Sequence, residues 1–201
     1  SAMREIFRFR EKIPGFSSFV VANFLIMLGS LNLMFFGLYY FESVLKLPNP
    51  SEAMAITGIV ILSVSAISAI ALGSLSDRIG RKKMIIAASA MAGTINLVFP
   101  FIRTFDILLM VASIYAIMIG LFNSVNIAFA SDMVPKEESG RYMAYSNLAS
   151  GSANAIAPVI GGVVIFLFGG SSNPMSFTAL FVISSISYFL GTALMSKVPR
   201  E

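Results

Sequence analysis

No cysteine, histidine or tryptophan occurs among the 201 residues of this chain. Without thiols or imidazoles there is no disulfide, thiol nucleophile, Cys/His zinc centre, histidine base or histidine proton relay. Charge is almost as scarce. Only 12% of residues are Asp, Glu, Lys or Arg, against about a quarter in a soluble domain. None of them lies near the middle of an apolar run, where a charge is costly and usually functional. No phosphate-cradling Gly-x-x-x-x-Gly-Lys-Ser/Thr and no Gly-x-Gly-x-x-Gly is present. The sequence reads as a non-enzyme that uses neither a metal nor a cofactor.

Apolar residues dominate instead, at 57% of the chain with a mean hydropathy of +0.85. That composition marks an integral membrane protein embedded in a lipid bilayer. Six apolar runs, at 17–44, 53–76, 84–102, 106–131, 142–168 and 175–196, are each long enough to cross a bilayer as a helix. The stretches between them are short and carry turn residues, so successive helices run antiparallel. The expected fold is all-α, a six-transmembrane-helix bundle. Residues 17–196 form the membrane domain, 1–16 a basic juxtamembrane segment at the interface and 197–201 a short tail. Ser1-Ala-Met3 reads as the remnant of a cleaved expression tag.

Cations give the orientation. With the N-terminus inside, all 14 lysines and arginines except Lys46 and Arg103 fall on the cytoplasmic side, as the positive-inside rule demands. Both termini are then cytoplasmic. The same placement explains the excess of basic over acidic residues by topology, with no nucleic-acid partner.

The densest charge lies in Gly73-Ser-Leu75-Ser-Asp77-Arg78-Ile-Gly80-Arg81-Lys82-Lys83, between the second and third runs. Its placement opposes the helix dipoles. Asp77 closes one helix and Arg81, Lys82 and Lys83 open the next, where an anion and cations are respectively disfavoured. A cytoplasmic location accounts for the cations, and a nearby cationic partner would account for Asp77. The motif Gly-x-Leu-Ser-Asp-Arg-x-Gly-Arg-Lys resembles the signature loop of the major facilitator superfamily, which joins the second and third helices of a six-helix half. Gly73, Leu75, Asp77, Arg78, Gly80, Arg81 and Lys82 all stand at its spacing. The segment from Asp132 to Gly140-Arg141 is similar to the superfamily's loop between fourth and fifth helices, and the resemblance spans about 17 to 196.

The resemblance implies one half of a twelve-helix fold, with a C-terminal half of a sugar-cotransporter-like member favoured over an N-terminal half or a dimerising six-helix protein. It implies that Asp77 latches against a helix end of the opposite half. It also implies that Arg81 pairs with an acid at the end of the fourth helix, where Asp132 stands. The first and fourth helices would line a central cavity, and there Asn32, Tyr39, Asn123 and Asn126 offer amides and a phenol to a neutral polar solute. Small residues recur on the second span (Ser65, Ala69, Gly73) and the fifth (Ala153, Ala157, Pro158, Gly161, Gly162), where they would allow close packing between halves.

The function expected is half of a secondary transporter that moves a small-molecule solute by alternating access. The partner would be a second six-helix half or a second copy, and the membrane a prokaryotic plasma membrane. The rival reading is a receptor, scaffold or assembly factor that keeps the fold without transport.

Overall fold

A computed structural model describes residues 15–134 and 139–199. Among these the chain forms helices and no strand: α1 (Phe16–Ser30), α2 (Asn32–Ser43), α3 (Pro50–Ile79), α4 (Arg81–Asn96), α5 (Phe105–Asp132), α6 (Ser139–Leu167) and α7 (Pro174–Lys197). With α1 and α2 counted together, six spans are long and apolar enough to cross a membrane. The basic segment read before the first span lies outside the described residues, as do Pro135 to Glu138 and the last two residues of the tail.

Local chemistry accounts for most boundaries. Pro50 and Pro174 open α3 and α7, where a fixed φ and a missing N–H suit the first helical turn. Asn173 Oδ1 accepts from the Met175 N–H at 3.1 Å and caps α7. The third span is shorter as an α-helix than its hydropathy indicates. It ends at Asn96 and continues as a single 3-10 turn at Phe99–Phe101, because Pro100 has no N–H to extend the ladder. The Phe99 carbonyl accepts from the Ile102 N–H at 3.1 Å and from the Tyr40 hydroxyl at 2.8 Å.

The first span is interrupted, which the uninterrupted apolar run does not indicate. Leu31 lies between α1 and α2 at φ −83°, ψ −16°. Its neighbours are held from outside the span. The Ser30 carbonyl accepts from the Tyr115 hydroxyl of α5 at 3.4 Å, and the Asn32 amide donates to Ser184 of α7. The Gly29-Ser30 pair, whose hydroxyl donates back to the Met27 carbonyl at 2.8 Å, is a local weak point, and these tertiary contacts hold the break.

The spans pack in the order α3, α5, α4, α7, α1, α6, with α2 touching both α3 and α6. Coverage is uneven. Within its most apolar stretch, the span opened by α4 is 50% buried, whereas α3 is 11% buried. The α3–α5 contact is close because Gly120 has no side chain: a Cβ there would lie 2.2 Å from the Ser65 carbonyl oxygen. At the other end of the bundle, Tyr40, Phe99, Phe177 and Phe181 form an aromatic cluster in which Phe99 stacks on Phe181 at 5.2 Å.

Candidate functional site

The charged loop is built on a one-residue turn. Gly80 stands alone between α3 and α4 at φ 102°, a left-handed conformation that only glycine adopts without strain. Its N–H donates to the Ser76 carbonyl at 2.9 Å and closes α3. Arg81, the first residue of α4, therefore lies within reach of the last turn of α3. Its Nε and Nη2 donate to Asp77 Oδ1 at 3.1 and 2.9 Å. Its Nη1 donates to Asp132 at the end of α5 and to the Ala128 carbonyl at 3.0 Å. One guanidinium thus holds three helix ends, which its planar fork of donors allows and an ammonium would not.

This cluster resolves the electrostatic conflict in the sequence. Asp77 and Asp132 both close helices, where the dipole opposes them, and the charge of Arg81 offsets both. The side chains stay accessible, 28% for Arg81, 60% for Asp77 and 40% for Asp132, so each pair contributes at most about 1 kcal/mol. Such contacts can break and re-form. Lys82 is committed elsewhere, donating to the carbonyls of Ser196 (2.8 Å) and Val198 at the end of α7. Arg78 and Lys83 are exposed, Gly73 faces Ser124 of α5 and Leu75 is exposed. A cavity of about 430 Å³ lies among Asp77, Arg81, Lys82, Phe129 and Asp132.

A second cavity, of about 490 Å³, lies between the first span, α3 and α5. Of the four residues read as cavity groups, Asn123 alone lines it, from the exposed side of α5. Asn32 is buried and its amide donates to Ser184 of α7. Asn126 is also buried. It donates to Asn23 Oδ1 at 3.0 Å, and Asn23 donates to Ser150 Oγ at 3.4 Å, a chain that links α5, α1 and α6. Asn126 Oδ1 has no hydrogen-bond partner among the described residues. Tyr39 is exposed on α2, outside the residues that line the cavity.

The small-residue stripes make contacts within this chain. Ala153, Ala157 and Gly161 are buried within this chain, and a Cβ on Gly161 would meet the Phe36 ring of α2 at 2.2 Å. Ser65 packs against Gly120, and Ala69 is half-buried. These residues let the chain's own helices approach. Turned outward on α6 are Asn147, Gly151, Asn154 and Gly162, with Pro158 half-buried beside them.

Sequence reasoning missed the buried Tyr115–Tyr188 pair and the methionines of the cavity wall, Met27, Met34 and Met54. Met27 and Met34 stand on either side of the break at Leu31, so helical spacing gave no signal for them.

The family described as Major Facilitator Superfamily matches residues 14–201 of the chain. No curated protein and no solved structure matches it.

Proposed function

The chain belongs to the Major Facilitator Superfamily, and from that premise we propose that it is one six-helix half of a secondary transporter. It moves a small solute by alternating access when it is paired with a second six-helix half or a second copy of itself. It is a multi-pass integral membrane protein. In this reading it resides in a prokaryotic plasma membrane, with both termini and the charged loop on the cytoplasmic face, as the distribution of cations favours.

The observation that carries the reading is the position of Arg81, which joins the ends of α3 and α5 through Asp77 and Asp132. Asp77 keeps most of its carboxylate surface open and so has room for a helix end of a second bundle. Rocking of two bundles would make and break that contact, while Arg81 and Asp132 hold the loop in place. A wall of a cavity needs an opposing wall, which a second bundle supplies.

Flux from vesicles tests the reading. The chain is reconstituted into liposomes loaded with a mixture of small neutral solutes, and its oligomeric state is measured in the same sample. Release of at least one solute that scales with the paired fraction is the expected result. Paired chains that release none would overturn transport in favour of a receptor or scaffold role.

A further inference from the structure

We infer that the solute accepted by the cavity between the first span, α3 and α5 is a neutral, predominantly apolar molecule with one hydrogen-bonding group, which Asn123 engages. This rests on the transporter reading above and narrows it to a substrate class.

The lining supports this. Met27, Met34, Met54, Phe41 and Phe122 form much of the wall of this cavity of about 490 Å³, and no Asp, Glu, Lys or Arg lines it. This wall therefore offers a charged solute no counter-charge against its desolvation penalty. The polar side chains other than Asn123 are already engaged. Ser30 Oγ donates to the Met27 carbonyl at 2.8 Å, and Thr57 Oγ1 to the Ala53 carbonyl at 2.7 Å. Tyr115 meets the Tyr188 hydroxyl at 2.8 Å. A sugar would therefore bury many hydroxyls against few free partners, each unpaired group weakening binding. The neutral polar solute expected from the asparagines is replaced by an oily one.

Asn123 argues that the cavity holds more than lipid tails. It is exposed and makes no hydrogen bond to another described residue. At 1.5 Å per residue it lies roughly 14 Å from the Asp132 end of α5, deep within a hydrocarbon core about 30 Å thick. An unpaired amide facing acyl chains at that depth is strongly disfavoured. An occupant with one donor or acceptor satisfies it, while the rest of that molecule contacts thioethers and rings. Methionine is unbranched and polarisable and fits varied apolar shapes. The cavity volume lies within the range typical of drug-sized ligands.

Single-cysteine protection in liposomes tests this, because the natural chain has no thiol to compete. Met34→Cys places a thiol on the exposed part of the cavity wall, and Met54→Cys repeats the measurement on α3. Ile70→Cys, on the outward side of α3, reports plain partition into lipid. The probes are N-phenyl-1-naphthylamine (neutral and apolar, with one N–H), sucrose and tetraphenylphosphonium. The naphthylamine is expected to slow maleimide labelling at positions 34 and 54 several-fold and to leave position 70 unchanged, with the other two probes without effect. Adding Asn123→Leu should raise the half-protecting concentration about fivefold. Protection by sucrose or tetraphenylphosphonium of equal strength, equal slowing at position 70, or no slowing at all would overturn the inference. Selective protection without solute flux would remove the transport reading alone. Flux of a hydrophilic solute without protection would remove the substrate class alone.

Discussion

Tyr115 and Tyr188 meet hydroxyl to hydroxyl at 2.8 Å in the interior of the bundle, beside the Ser30 carbonyl at which the first span is interrupted. Both side chains are buried, so neither hydroxyl has water as an alternative partner. The pair joins α5 to α7 and places both against α1. It secures the interruption at Leu31 from two sides, together with the bond from Asn32 to Ser184.

Removing one hydroxyl leaves the other buried with poorer partners. Tyr188→Phe should therefore lower stability by about 1–3 kcal/mol. The double variant with Tyr115→Phe should lose less than the sum of the two single changes, because the second substitution removes a group already unpaired. Thermal unfolding in detergent measures both. Additive losses would mean that the hydroxyls do not act as a pair.

Arg81 and Asp132 are partly exposed, and their coupling should be small. A double-mutant cycle with Arg81→Ala and Asp132→Ala should give about 1 kcal/mol or less at low salt. It should shrink as salt screens the charges. Arg81→Lys should keep the charge and lose the bridging, since one ammonium cannot match the three acceptors held by the guanidinium.

Glycine substitutions separate contacts inside the chain from those outside it. Gly120→Ala should destabilise the bundle by about 1–3 kcal/mol, because the added carbon meets a backbone oxygen that cannot move aside. Gly161→Ala should lose less, since the Phe36 ring can swing. Gly162→Ala meets nothing within 4 Å and should leave the isolated chain within about 0.5 kcal/mol of its normal stability. A fall in association between bundles for Gly162→Ala alone, followed by cross-linking in vesicles, would place α6 at a seam.

Asp77→Asn should insert normally yet reduce flux by about fivefold or more, the lower end of a typical coupling between two states. Among the described residues Asp77 hydrogen-bonds to Arg81 alone, so the loss of flux should outweigh any change in unfolding temperature. Unchanged flux would remove Asp77 from the gate.

Several features were legible in the sequence because the physics behind them is local. Bilayer thickness sets the length of an apolar run, so six spans could be counted. A glycine followed at once by cations marks a turn, and Gly80 makes one. Arg81 and Asp132 are 51 residues apart in the chain, and only a family resemblance placed them together beforehand. The faces of the helices were harder to read. On α6 the buried stripe of Ala153, Ala157 and Gly161 and the outward Gly151 and Gly162 are all small residues. In lipid, inside and outside are equally apolar, so hydropathy does not tell them apart.

By itself, the sequence determined that this is a helical membrane protein with six crossings and a charged glycine turn, because length, hydropathy and charge act through the bilayer whatever the neighbours are. Only the tertiary structure decided which side chains hold the break at Leu31, that Asn32 serves α7 while Asn123 faces the cavity, and that methionines line its wall. Those outcomes depend on which helix lies opposite which, and an amide follows the nearest partner that satisfies it.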